Sequence, residues 1–134
     1  MRAVVQRVSS ASVTVSGAVV GAIGRGLLVL VCAMDGDAEA DVAWMAAKLP
    51  VLRIFPAAAG AGAEGTEGVS GRMDLALADL PPPERSLLLV SQFTLSADLG
   101  PGVSKGNRPA FLKAMAPAPA EAMVADLAAR LGRA

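Results

Sequence analysis

The sequence predicts a mixed α/β fold, in which a mostly antiparallel curved sheet or open barrel packs against two helices. Short strand-like segments joined by tight links fill residues 2–32, which favours a meander over a doubly wound parallel sheet. Two later segments, near residues 37–49 and 119–131, carry apolar residues at helical spacing instead. A chain of 134 residues is long enough for one hydrophobic core, so we expect a single domain over residues 1–134.

The first strands follow from alternation and from glycine. Residues 2–8 have the character of a strand, and residues 12–16 alternate strictly between polar and apolar, so one face is expected to be buried. Ser16-Gly17 predicts a turn because glycine tolerates positive φ, and residues 19–23 return as the partner strand. After a second turn, residues 27–32 are continuously apolar, as a buried strand requires.

The first helix is predicted from Asp37 to about Leu49. The Asp37 side chain can accept hydrogen bonds from the free N–H groups of the first turn, and Pro50 ends the helix. Trp44 lies beside the apolar stripe and is interpreted as a core or interface residue, with base stacking as the alternative. The stripe itself consists of Val42, Met45, Ala46 and Leu49.

A stretch of low complexity follows the strand near Phe55. Residues 57–70 are mostly alanine and glycine, which is typical of a flexible loop. No Gly-Lys-Ser/Thr follows this stretch and no Gly-x-Gly-x-x-Gly opens a helix. The sequence therefore rejects a nucleotide-binding loop at this position.

The strongest site candidate is the end of a later strand. The apolar run Leu87–Val90 leads directly into the side chains of Ser91, Gln92, Phe93 and Thr94. Such a run is what a buried strand needs, and groups at its end would be held on a rigid element beside the core. By composition alone, a strand end satisfying its own hydrogen bonds is the simpler interpretation.

The last part of the chain predicts a long loop and a second helix. Residues 97–113 form the loop and carry Lys105, Arg108 and Lys113. Pro119 marks the start of the helix and Gly132 stands where a C-cap is expected. The inner face of this helix is predicted to consist of Ala120, Met123, Val124, Leu127 and Leu131.

Composition excludes several chemistries. The sequence contains no histidine, which excludes Ser-His and Cys-His catalysis. It contains one cysteine, Cys32, which excludes an intramolecular disulfide and a cysteine-based metal site. We therefore expect neither metal nor cofactor. The formal net charge is +0, so nucleic acid would have to be held by a local basic patch. No apolar run of membrane-spanning length is present and cytoplasm is the default location.

The segment Ser91-Gln92-Phe93-Thr94-Leu95 resembles the signature of the D-aminoacyl-tRNA deacylases. Further blocks resemble that family in the family's own order, and together they span nearly the whole chain apart from residues 57–70. These blocks are Met1–Val8, Ala11–Val15, Gly26–Val31, Arg53–Phe55, Gly71–Leu75 and Gly106–Phe111.

The resemblance implies hydrolysis of the ester bond of D-aminoacyl-tRNA, with glycyl-tRNA mischarged on tRNA-Ala as a further substrate. It also implies a substrate-assisted route, in which the ribose 2′-hydroxyl helps while the protein holds the 3′ acceptor end and water attacks. Ser91, Gln92, Phe93 and Thr94 would form the catalytic pocket. Backbone groups around Gln92 and Phe93 would polarise the ester carbonyl, and Thr94 would position the substrate rather than act as nucleophile.

Four further residues are substrate-binding candidates. Arg7 matches an arginine that in the family fixes a Gly-Pro element, although a charge that protects a strand edge is the alternative. Lys105, Asn107 and Arg108 could contact phosphates of the acceptor end, and an ordinary solvated loop is the alternative.

One departure from the family concerns the C-terminal end. The family continues into strands with an Asn-x-Gly-Pro-Val-Thr block that rejects L-amino acids, whereas this sequence stops at Ala134. We therefore expect an apparently truncated domain with weaker chiral discrimination. The family implies a homodimer. A non-catalytic module that binds the tRNA 3′ end or the aminoacyl group, and a dimeric structural relative, remain open as alternatives.

Overall fold

The computed structural model describes residues 1–56, 73–100 and 108–132. The predicted flexible loop over residues 57–70 lies outside these ranges. The chain divides into two compact units, one formed by Met1–Val5, Val29–Ala46 and Leu89–Ala134, and the other by Gln6–Leu28 and Ala47–Leu88. The single domain over residues 1–134 stays a prediction.

The described residues form a mixed α/β fold with two α-helices, which confirms the predicted fold class. The sheets are open: one has three strands in the order β1-β4-β7, and the pairs β2-β3 and β5-β6 are antiparallel. The strands are β1 (Arg2–Val8), β2 (Ala11–Val15), β3 (Ala18–Ile23), β4 (Gly26–Cys32), β5 (Arg53–Pro56), β6 (Met73–Ala76) and β7 (Ser86–Ser91), and the helices are α1 (Glu39–Lys48) and α2 (Pro117–Leu131). Short 3₁₀ turns cover Leu49–Val51, Leu77–Asp79 and Phe93–Ser96.

Glycine has a defined role at two places in the second unit. The turn between β2 and β3 places Ser16 at φ 50° and Gly17 at φ 82°, the left-handed pair that a tight two-residue hairpin requires. The predicted turn is therefore confirmed. At the start of β4, a Cβ added to Gly26 would lie 2.0 Å from the Ser86 carbonyl oxygen, so the close approach of backbone at this point admits only glycine.

The core of each unit is built from apolar side chains. In the second unit Leu27, Phe55 and Leu80 are buried, and the Arg25 guanidinium lies 5.9 Å from the Phe55 ring centroid. In the first unit the buried core comprises Val29, Val31 and Cys32 of β4, Val42 and Met45 of α1, and Leu127 of α2. β4 is thus largely buried, as its continuous apolar character predicted, with Leu28 and Leu30 half-buried and the rest of the strand buried.

Helix α1 begins differently from the prediction. The Asp37 carboxylate does not cap it, since it accepts from the Met1 amino group and from the Met34 N–H. Asp41 supplies the capping contact instead, accepting from the Ala38 N–H at 2.8 Å, which is the reciprocal half of a capping box. Trp44 is 64% exposed, so it is not a core residue, and its roles at an interface or in base stacking stay predictions.

Helix α2 starts at Pro117, two residues before the predicted Pro119. Proline suits either position because the first turn of a helix has no acceptor for its N–H groups. Leu127 faces the core and the other predicted inner residues are half-buried. Asp126 and Arg130, four residues apart on α2, form an ion pair at 3.0 Å, and the Arg130 guanidinium also contacts Glu39 of α1 at 3.0 Å.

Candidate active site

The signature segment, Ser91–Leu95, begins at the last residue of β7 and turns away from the sheet. The Gln92 N–H donates to the Val31 carbonyl of β4 at 2.7 Å, and Phe93 then opens the 3₁₀ turn that ends at Ser96. β7 itself is half-buried along Ser86–Val90 rather than fully buried. A strand end fixed to a buried neighbour gives the segment a rigid support, as the sequence predicted.

The carbonyl groups of the 3₁₀ turn are held from several directions. The Phe93 oxygen accepts from the Ser96 hydroxyl at 2.8 Å and from the Cys32 thiol at 3.5 Å. The Leu95 oxygen accepts from the Arg2 guanidinium at 3.0 Å. Sequence reasoning missed Arg2 and Cys32, because their contacts depend on β1 and β4 meeting the turn in space. It also missed Ser96, whose contact is local and lies within the 3₁₀ turn itself.

A cleft of about 960 Å³ lies beside the signature segment in the first unit. Ser91, Gln92 and Phe93 line one side of it, and α2 lines another with small side chains such as Ala120 and Ala128. Glu121 contributes the one ionisable side chain among the described residues that line the cleft. The lining is therefore mainly apolar, which is typical of a pocket that binds a partly apolar ligand.

Two phenylalanines meet at the cleft. The Phe93 and Phe111 ring centroids are 5.3 Å apart and the ring planes are inclined at 67°, an edge-to-face arrangement. Phe93 is 59% exposed and Phe111 is half-buried. Phe111 thus packs its loop against the signature segment, and the exposed face of Phe93 is available to a ligand.

The side chains of Gln92 and Thr94 contact each other. The Gln92 amide Nε2 donates to the Thr94 Oγ1, which leaves the hydroxyl proton of Thr94 free to donate elsewhere. Thr94 is exposed and is not among the residues that line the cleft. No carboxylate, lysine or other base among the described residues contacts this hydroxyl, so the geometry favours positioning over nucleophilic attack.

The backbone donors of the segment are only partly free. The Gln92 N–H donates to the Val31 carbonyl oxygen, so it is not available to a substrate carbonyl, and the expectation that backbone groups around Gln92 and Phe93 polarise the ester stays a prediction for the other groups. The N–H groups of Phe93 and Thr94 begin the 3₁₀ turn and have no acceptor among the described residues.

The Cys32 thiol lies beneath the segment and is protonated. Burial raises the pKa of this thiol, and the charge of Arg2 opposes that shift. A protonated, buried thiol is a weak donor and a poor nucleophile, so Cys32 supports the structure of the turn.

Of the four predicted substrate-binding residues, the two that the structure describes, Arg7 and Arg108, do not line the cleft. Arg7 is exposed on β1, belongs to the second unit, and its side chain makes no hydrogen bond or ion pair with any described residue. Arg108 is exposed and is the first residue of the described range 108–132. Lys105 and Asn107 lie outside the described residues. The structure therefore brings together Ser91, Gln92 and Phe93 at the cleft, with Thr94 beside them.

A metal site and a membrane-spanning helix are both absent from the described residues. Within residues 1–56, 73–100 and 108–132, no three histidine, cysteine, aspartate or glutamate side chains are grouped so that they could hold a metal ion. Over the same ranges, no helix is both long enough and apolar enough to cross a bilayer.

A small α/β protein with a largely apolar cleft at the end of strand β7 is the class that this fold and site define. Residues 4–134 match the family model described as D-Tyr-tRNA(Tyr) deacylase. The chain belongs to this family, which confirms the resemblance read from the signature segment.

Similar proteins span most of the chain. The D-aminoacyl-tRNA deacylase of Myxococcus xanthus (strain DK1622) is 50% identical over 123 residues, covering 92% of this chain and 69% of that protein. The D-aminoacyl-tRNA deacylase of Ruegeria pomeroyi (strain ATCC 700808 / DSM 15171 / DSS-3) is 47% identical over 131 residues, covering 98% of this chain and 78% of that protein. A solved structure titled c-Myc DNA Unwinding Element Binding Protein superposes with a TM-score of 0.77 at 34% identity, covering 99% of this chain and 77% of that one.

Proposed function

We propose that this protein hydrolyses the ester bond of D-aminoacyl-tRNA, releasing the free D-amino acid and the tRNA. The observation that carries this proposal is the placement of the signature segment at the cleft, in a chain that is 50% identical to a curated D-aminoacyl-tRNA deacylase. Water adds to the ester carbonyl carbon, and the bond from that carbon to the ribose 3′-oxygen breaks.

The shortage of acid–base side chains supports a substrate-assisted mechanism. The sequence has no histidine, and the Thr94 hydroxyl has the Gln92 amide, not a base, as its partner. The 2′-hydroxyl beside the ester would then supply the missing polar group while the protein contributes placement. The Phe93 and Thr94 N–H groups, which have no acceptor among the described residues, are suited to polarise the ester carbonyl.

The cleft and the cations suggest how the 3′ end is held. The exposed face of Phe93 and the apolar lining would receive the terminal adenosine and the aminoacyl group. Arg108, together with Lys105 and Asn107, would contact phosphates of the acceptor end. Arg7 would be a fourth substrate contact, whereas the family resemblance itself implies that the matching arginine fixes the Gly-Pro element. Glycyl-tRNA mischarged on tRNA-Ala is included as a substrate, because a glycyl ester presents no side chain on either face.

We also propose that residues 1–134 act as one domain, that the protein works as a homodimer, and that it works in the cytoplasm. Exposed apolar side chains support the dimer: Val19 and Val20 of β3 are each 64% exposed, and clustered exposed apolar side chains mark interaction surfaces. Substrates of the family, aminoacyl-tRNAs, support the cytoplasmic location.

The test of the proposed activity is single-turnover hydrolysis of D-tyrosyl-tRNA, L-tyrosyl-tRNA and glycyl-tRNA by the 134-residue chain. We expect D-tyrosyl-tRNA to be hydrolysed well above the buffer rate. Equal loss of the L-ester would show an active cleft without chiral discrimination. No hydrolysis by a folded sample would refute the proposal and favour a module that only binds the tRNA 3′ end, which titration with charged and uncharged tRNA would detect.

A further inference from the structure

Ser96 is unusual because it is a buried polar residue in an otherwise apolar core. Its side chain is 1% exposed, and no other polar or charged residue among those described is buried to this degree. Buried polar groups are costly unless they are hydrogen-bonded. The Ser96 hydroxyl is bonded: it donates to the Phe93 carbonyl at 2.8 Å, across the 3₁₀ turn.

The same carbonyl has a second, weaker donor. The Cys32 thiol lies 3.5 Å from the Phe93 oxygen, but the Ala33 oxygen at 3.3 Å and the Met34 sulfur at 3.7 Å compete for its single proton. A thiol is also a weaker donor than a hydroxyl. The 3₁₀ turn over Phe93–Ser96 adds the Ser96 backbone N–H as a further donor, because such a turn bonds each carbonyl to the N–H three residues on. Both main donors to the Phe93 carbonyl therefore belong to Ser96, and the hydroxyl is the one that a substitution can remove.

Holding this carbonyl fixes the rest of the peptide. In a planar trans peptide the C=O and the following N–H point in opposite directions. Because the Phe93 oxygen is directed at the buried Ser96, the Thr94 N–H is directed away from the core. The peptide thus lies between two residues of the signature segment, the cleft-lining Phe93 and the exposed Thr94.

We propose that Ser96 is a positioning residue, whose buried hydroxyl sets the orientation of the Phe93–Thr94 peptide and so of the groups that meet the substrate. This inference rests on the proposed deacylase function. Ser96 touches no substrate and acts only through the Phe93 carbonyl.

The chain offers a matched control in Ser86. Its hydroxyl donates to the Pro83 carbonyl at 2.9 Å, again three residues back, but in the second unit and away from the signature segment. Ser86→Ala removes the same kind of hydrogen bond as Ser96→Ala without altering the peptide beside Thr94. The Ser86 bond is exposed whereas the Ser96 bond is part-buried, so Ser86→Ala controls for loss of this type of bond and not for loss of a buried one.

The test measures single-turnover hydrolysis of D-tyrosyl-tRNA against enzyme concentration for the unmodified chain, Ser96→Ala and Ser86→Ala. We expect Ser96→Ala to lower the maximal rate about tenfold, with the half-saturating concentration changed by less than about twofold, since tRNA binding uses other contacts. Ser86→Ala should change neither. Equal effects of the two variants, or a Ser96→Ala rate within twofold of the unmodified rate, would overturn the proposal.

A second measurement does not depend on turnover. The carbonyl ¹³C resonance of Phe93 and the amide resonance of Thr94 should shift in Ser96→Ala and stay in place in Ser86→Ala; unchanged resonances would overturn the proposal. If the unmodified chain shows no hydrolysis, the proposed function fails, while these resonances still decide whether Ser96 holds the peptide. Should Ser96→Ala not fold, Ser96→Cys retains a weak donor and is expected to give intermediate values in both measurements.

Discussion

At the scale of single residues, the site depends on which polar groups already form hydrogen bonds within the protein. The Gln92 backbone N–H donates to Val31 of β4 and one of its two side-chain N–H groups donates to Thr94, which leaves the second side-chain N–H and the Oε1 oxygen unused by the described residues. Thr94 keeps one free proton on its hydroxyl and one free N–H. Thr94 can therefore offer a substrate both a hydroxyl proton and a backbone N–H.

Replacing Thr94 by valine tests this use of the hydroxyl. Thr94→Val keeps the branched shape and removes the donor, so we expect the single-turnover rate with D-tyrosyl-tRNA to fall about tenfold, which corresponds to roughly 1.4 kcal/mol of transition-state stabilisation. Thr94→Ser restores the hydroxyl and should stay within about threefold of the unmodified rate. A Thr94→Val enzyme as fast as the unmodified one would show that the hydroxyl does not position the substrate.

At the scale of elements, close backbone contact determines how the start of β4 packs against the start of β7. Gly26 is buried, and the Ser86 carbonyl occupies the space where a Cβ would stand. The signature segment begins at the far end of the strand that Ser86 opens, β7. The signature segment thus follows a strand whose first residue, Ser86, packs so closely on Gly26 that position 26 has no room for a side chain.

Gly26→Ala should destabilise the protein strongly. The added methyl group would lie 2.0 Å from backbone, so the strand must shift, and we expect a loss of at least about 3 kcal/mol in the free energy of unfolding. Gly24→Ala is the control, because nothing lies within 4 Å of a Cβ there, and its effect should be below about 0.5 kcal/mol. Urea denaturation of both variants measures the difference, and similar midpoints would contradict the geometry at Gly26.

At the scale of the whole molecule, the sequence predicted the elements better than the site. Alternation, turn glycines and helical periodicity are local signals, and they located the β2–β3 hairpin, β4 and both helices. The start of α1 was not predictable because Asp37 and Asp41 are both good caps by type, and the Met1 amino group decides between them. The cleft was not predictable because α2, more than twenty residues after the signature segment, supplies one of its walls.

Association of the chain is a prediction at this same scale. We expect sedimentation equilibrium at micromolar concentration to give twice the chain mass of 13.4 kDa. Val19→Asp places a charge on an exposed apolar position of β3 and should shift the mass toward the single chain if the hairpin contributes to the interface. A concentration-independent mass of one chain for the unmodified protein would exclude the homodimer.

The exposed position of Trp44 determines what intrinsic fluorescence can report. The sequence has one tryptophan and no tyrosine, so fluorescence excited near the red edge of protein absorption comes from a single indole. That residue, Trp44, is already 64% exposed in the folded chain. Unfolding changes the surroundings of that indole little, and a ligand in the cleft does not touch it, since Trp44 is absent from the lining. A blue shift of this emission would instead report that another molecule has covered the outer face of α1.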